Sequence, residues 1–166
     1  MRHGRREVDV VEQRGFRWLK KWWREPFGRI PTLIFYYDLA RYDEFWHYLT
    51  DELDFKKVLY FFGNLAEGRM FADTTIVLFL VNVTEFEEKL KRVPLSRYFQ
   101  RFKGGNNAQE AAAHIRGEFA VRVKSGHRLR SRICDYSDPL NVDFLFASVD
   151  HVTRQRAIRD RFKRGK

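Results

Sequence analysis

The sequence has only one cysteine, Cys134, in 166 residues, so no disulfide can form within the chain and a reducing compartment is expected. Long hydrophobic runs are missing. The longest, residues 76–81, is about a third of a membrane span. The N-terminus, Met1-Arg2-His3-Gly4-Arg5-Arg6-Glu7, lacks the apolar stretch of a signal peptide. Arg2 stands where N-myristoylation requires glycine. The histidines, at 3, 47, 114, 127 and 151, have no spacing to one another or to Cys134 that suits zinc. Zinc-finger spacing and RNA-recognition signatures are also absent, which speaks against a nucleic-acid partner.

What is present is aromatic and basic. Sixteen Phe, seven Tyr and four Trp supply ample apolar surface to offset the entropy of ordering, so most of the chain is expected to fold. The length suits one domain with a real core. The net charge of +10 suits an anionic partner, and it is unevenly spread. Residues 1–30 carry nine Lys/Arg against four Asp/Glu, residues 36–90 five against eleven, and residues 151–166 seven against one. An acidic middle therefore lies between two basic ends. Solvated helix faces are the plain explanation of such ends, and contact with a membrane or a partner protein is the sharper one.

Short apolar runs alternate with helical periodicity. Strands are expected at Glu7–Val11, Thr32–Tyr37, Thr74–Val81 and Arg132–Cys134. Phe45, Leu49, Leu53, Lys56 and Tyr60 recur at helical spacing, which predicts one long helix from about Arg41 to Ala66. Further helices are expected at Glu87–Lys91, stopped before Pro94, at Ala108–Val123, and from Asn141 to about Phe162. Strands separated by helices mean βαβ units and a mostly parallel sheet.

The order of particular residues then becomes specific. Val8-Asp9-Val10-Val11-Glu12-Gln13-Arg14, with Trp23, Phe27, Thr32–Phe35 and Tyr42-Asp43 after it, resembles the second switch region of heterotrimeric G protein alpha subunits and the segment downstream of that switch. Phe71-Ala72-Asp73-Thr74-Thr75, the run to Leu80, then Phe86-Glu87-Glu88-Lys89-Leu90 and Pro94-Leu95 resemble the family's fifth strand and the loop after it. Asp138, Asn141-Val142, Phe144-Leu145-Phe146 and Val149 resemble the start of its C-terminal helix. The likeness runs over roughly residues 7–160. It implies a partial three-layer Ras-like (P-loop NTPase) α/β fold that lacks the first two strands and the helical domain. It also implies that 7–162 form part of a GTPase domain, with 1–6 and 163–166 as basic tails.

The family binds GTP or GDP with Mg²⁺ and hydrolyses GTP, and this sequence departs from it at each surviving nucleotide motif. The glycines offer no GxxxxGK[ST] phosphate loop. In the DxxGQ motif, Asp9 matches the residue that holds Mg²⁺ and Gln13 the one that orients the attacking water, but Glu12 replaces glycine. A carboxylate about 4 Å from a phosphate charge is repelled by about 4 kcal/mol at an effective dielectric of about 20. Gln13 is therefore expected to be a relic. The base-reading NKxD motif falls on Val81-Asn82-Val83-Thr84. A one-residue shift would match Asn82 and Glu85 instead, but would flip the strand's faces. The TCAT loop falls on Cys134-Asp135-Tyr136-Ser137, with bulky Tyr136 where alanine is expected. Nucleotide binding and hydrolysis by this chain are not expected.

Family partners are the βγ dimer and the receptor. The resemblance places their candidate contacts on Arg17, Trp18, Trp22 and Trp23 of the switch-like segment and on Arg154, Arg159 and Phe162 near the C-terminus. The bland reading of the first group is that its aromatics cover the core. A cytoplasmic location is expected, compatible with a peripheral place at the inner membrane face. The alternatives are a basic module binding nucleic acid or a membrane surface, and an incomplete gene model.

Overall fold

The computed structural model describes residues 32–44, 55–68, 71, 74–123, 128–150 and 154. The strand expected at Glu7–Val11 and the switch-like segment lie outside these residues. Three strands, β1 (Thr32–Asp38), β2 (Thr75–Val81) and β3 (Arg128–Ile133), form one sheet in the order β1-β2-β3. Both pairings are parallel, with Thr32 opposite Thr75 and Thr75 opposite Arg128. Parallel strands need crossovers, and α1 (Phe55–Glu67), α2 (Val83–Leu90) and α3 (Ala108–Ala120) lie in them; a further helix, α4 over 140–150, follows β3.

β2 is buried at every position, as a central strand covered on both faces must be. Its side chains alternate between two cores. Ile76, Leu78 and Leu80 join Phe62, Phe119, Ile115 and Leu59 of α1 and α3. Val77, Phe79 and Val81 join Cys134, with Ile34, Phe144 and Leu145 packed against them. The three-layer α/β architecture expected from the sequence is therefore present, with a sheet between α1/α3 and α4.

Several element boundaries differ from expectation. The long helix from Arg41 does not begin there. Leu39–Arg41 is a 3-10 turn whose Ala40 N–H is capped by Asp38, and residues 42–43 form a turn. Tyr42 is pinned in the core by donating its hydroxyl to the carbonyl of Val93, which holds the chain away from a helical path. β3 starts at Arg128 rather than Arg132, because Arg128, Arg130 and Arg132 alternate along one face and break the apolar signature of a buried strand. α2 starts at Val83, four residues before the expected Glu87, and α3 ends at Ala120, three residues before Val123. α4 is helical from residue 140, and beyond residue 150 only Arg154 is described.

Candidate functional site at the carboxyl end of the sheet

The carboxyl ends of parallel strands, where the loops turn outward, are where open α/β sheets bind ligands. Here they bring together Asp38 from β1, Asn82 from the β2–α2 turn, Thr84 from the first turn of α2, and Cys134, Asp135 and Tyr136 from the segment after β3. Asn82 occupies a left-handed conformation, φ 61° and ψ 42°. Asn is among the few side chains that tolerate this region, and the turn it makes starts α2 at once. The Asn82 side-chain amide donates to Asp38 Oδ2 at 2.7 Å, and the Asn82 backbone carbonyl accepts from the Phe86 N–H.

Thr84 is the residue that the unshifted register assigns to base reading. Its backbone N–H donates to Asp135 Oδ1 at 3.0 Å, and its hydroxyl donates to Oδ2 at 2.6 Å. Both oxygens of one carboxylate are thus forked onto one residue. The fork lies at the N-terminus of α2, where unpaired N–H groups and the helix dipole favour negative charge. Glu85, the alternative carboxylate of the shifted register, is exposed in the first turn of α2.

Asp135 is held from behind. Its carbonyl accepts from the Asn141 amide at 2.8 Å and from the Asp138 N–H at 3.2 Å. Arg132 bridges Asn141 (2.9 Å) and Asp138 (2.6 Å), which fixes the β3–α4 turn. The N–H of Leu140, together with the Arg132 guanidinium, holds the Asp138 carboxyl below the usual carboxylate range. The N–H of Cys134 continues the sheet by donating to Leu80 at 3.0 Å. Its side chain is 3% exposed, and burial pushes the thiol pKa up, so it is not poised as a thiolate.

Tyr136 projects outward and is 60% exposed. Its hydroxyl pKa is raised by partial burial, then by Asp38 and Tyr36, which places the three groups in one electrostatic neighbourhood. Tyr36 is also exposed and stacks on Phe79 with ring centroids 5.0 Å apart. The corner is acidic and aromatic.

Thr84, the position assigned to base reading, carries no carboxylate, its N–H and hydroxyl are engaged by Asp135, and the Tyr136 ring stands where a small residue was expected. Among the described residues, no group of three His, Cys, Asp or Glu side chains is arranged to hold a metal. Asp9, Glu12 and Gln13, the candidates for Mg²⁺ and water, lie outside the described residues, as do Arg17, Trp18, Trp22, Trp23, Arg159 and Phe162. Arg154 is described and exposed. The structure brings Asn82, Thr84, Asp135 and Tyr136, singled out from the sequence, to one corner, together with Asp38, Arg132 and Asn141, which were not singled out as site residues. Asp38, next after the expected strand Thr32–Tyr37, and Asn141, the first residue of the expected final helix, were the available signal.

Comparison with known proteins matches residues 3–153 to the family model of the G-protein alpha subunit. The chain is 27% identical over 154 residues to the guanine nucleotide-binding protein alpha-2 subunit of Saccharomyces cerevisiae, covering 93% of this chain and 34% of that protein. It is 30% identical over 145 residues to the guanine nucleotide-binding protein G(o) subunit alpha of Caenorhabditis elegans, covering 87% of this chain and 40% of that protein. Against a guanine nucleotide-binding protein subunit alpha of Cryptococcus neoformans it is 27% identical over 157 residues, 95% of this chain and 36% of that protein. The chain therefore spans only between 34% and 40% of the length of these relatives.

Proposed function

The chain belongs to the G-protein alpha-subunit family, and on that premise we propose that it is an alpha-subunit-like protein whose base-reading corner has lost guanine recognition and whose role is contact with other proteins. The observation that carries this reading is the Asp135 fork on Thr84. A base entering the corner would have to displace two charge-assisted hydrogen bonds and meet Tyr136, while gaining no carboxylate at Thr84. GTP, GDP and Mg²⁺ are family ligands that this chain does not hold. Gln13 performs no hydrolysis, because Glu12 repels the phosphates it would serve.

Protein contact runs through two groups that the family resemblance supplies. Arg17, Trp18, Trp22 and Trp23 are the group assigned to the βγ dimer, since tryptophan and arginine are the side chains that most often anchor an interface. Arg154, Arg159 and Phe162 are the receptor-side group.

Calorimetric titration of the chain with GDP, and with a non-hydrolysable GTP analogue plus Mg²⁺, tests the nucleotide half. No heat of binding is expected, and saturable binding to either would overturn the reading. Capture on immobilised βγ dimer tests the other half. Wild type should be retained and the Trp18→Ala/Trp22→Ala variant lost, whereas failure of wild type to bind removes the βγ assignment.

A further inference from the structure

The two outer strands of the sheet are built differently. β3 carries Arg128, Arg130 and Arg132, so half of its six positions are cationic. Charge on an outer strand guards it against pairing with another chain, because the pairing would have to strip water from that charge. β1 has no such guard. Its run Thr32-Leu33-Ile34-Phe35-Tyr36-Tyr37 holds neither charge nor proline, and Asp38 comes only at its end. Among the described residues β1 pairs with β2 alone, so the backbone N–H and C=O groups along its outer side have no strand partner.

The side chains of β1 are already committed to the two cores. Leu33, Phe35 and Tyr37 pack toward α1 and α3, with the Phe35 ring 5.1 Å from Phe62 and the Tyr37 ring 5.4 Å from Phe119. Ile34 packs on Val77 and Phe79 on the other face. Tyr36 lies opposite Phe79 in the ladder and stacks on it, yet it is still 53% exposed. Phe79 covers that ring from the β2 side, which leaves the outer side open.

The run is also complementary to itself. Set antiparallel to a second copy about Phe35, it places Ile34 opposite Tyr36 on one face and Leu33 opposite Tyr37 on the other. The twofold axis makes each pair twice. Cross-strand pairs of an aromatic with an aliphatic side chain are favourable, and the single charge of each strand, Asp38, meets Thr32 rather than a like charge.

We propose that β1 pairs antiparallel with β1 of a second copy, which joins two three-stranded sheets into one of six strands. A second copy fits better than a foreign strand, because this run supplies matching side chains on both faces of its own edge. Assembly stops at two, because the dimer presents only the arginine-bearing β3 at either outer edge. The proposal does not depend on the nucleotide or βγ reading.

Sedimentation of the full chain over a concentration series tests it. A monomer–dimer equilibrium without larger species is expected. Tyr36→Lys sets a cation against Ile34 of the second copy, twice per dimer, and should raise the dissociation constant by about tenfold. Val121→Lys, at the 78% exposed side chain after α3, should change it by less than about twofold. Register is read by disulfide formation. An oxidised mixture of Ile34→Cys and Tyr36→Cys chains should cross-link, whereas either variant alone should not, because like positions then lie two residues out of register and beyond the reach of about 7 Å. A chain that stays monomeric throughout would overturn the proposal, including one whose β1 amides resist hydrogen exchange as a monomer because another part of the same chain covers the edge. So would equal effects of the two lysine variants, or cross-linking within one cysteine variant as fast as in the mixture.

Discussion

The two faces of the sheet are built on different physics. The α1/α3 face is dry and aromatic. Phe119 lies within 5.0–6.0 Å of the rings of Phe62, Tyr37, Phe55 and Phe35, edge to face with Phe62 and Phe55 and tilted to the other two. The α4 face rests on Phe79 and Phe144 in edge contact at 5.6 Å, with Arg130 and Arg132 lying over Phe144. Its neighbours Tyr36, Val142 and Phe146 remain more than half exposed. One face is therefore held by burial, and the other by burial mixed with directional polar contacts. Burial gives stability without direction, whereas the polar contacts set where α4 begins and where it points.

That contrast can be broken most sharply at Phe119. Phe119→Ala leaves a void in an aromatic cluster of one core and should cost about 3–5 kcal/mol in urea unfolding. Phe144→Ala on the other face removes a half-buried ring and two cation–π contacts. It should cost less, about 1–2 kcal/mol, and a loss as large as that of Phe119→Ala would erase the distinction. Asp135→Ala strips the fork from Thr84 in a partly solvated setting and should cost about 1 kcal/mol by the same measurement. If guanine nucleotides then bound, the fork would be an obstacle to the base rather than a replacement for it.

The smallest effect is expected at Asp138, whose folded-state pKa is lowered. Its contribution is present above the unfolded carboxylate range and lost as pH falls through the folded value, below about pH 4. Asp138→Asn should therefore lower stability slightly near neutrality and flatten the acid limb of the stability profile. An unchanged acid limb in urea melts across that range would remove Asp138 from the α4 turn.

Much of the frame was legible in the residues. The runs at Thr32 and Thr75 announced their strands because β-branched and aromatic side chains crowd a pleated surface covered on both faces. The arginines of β3 break that pattern and shorten the strand expected from the sequence, and only the tertiary packing of Arg130 and Arg132 over Phe144 explains guanidinium groups along that face. The helix from Arg41 was over-extended because Phe45 to Tyr60 keep helical spacing, while the anchoring of Tyr42 to Val93 spans 51 positions and leaves no local mark. At the site, the departures from the nucleotide motifs could be seen one residue at a time. That two of them, Thr84 and Asp135, satisfy each other could not.

The sequence by itself determined the alternation of strands and helices, the family and the two basic ends, because periodicity and residue type are local properties. Tertiary structure alone decided that Asp135 closes on Thr84 across 51 positions, and that α4 runs back along β3 so that Ala147 meets Arg130. Both outcomes depend on which loops the parallel sheet sets side by side. That arrangement comes from strand order and helix direction, which no short window of sequence encodes.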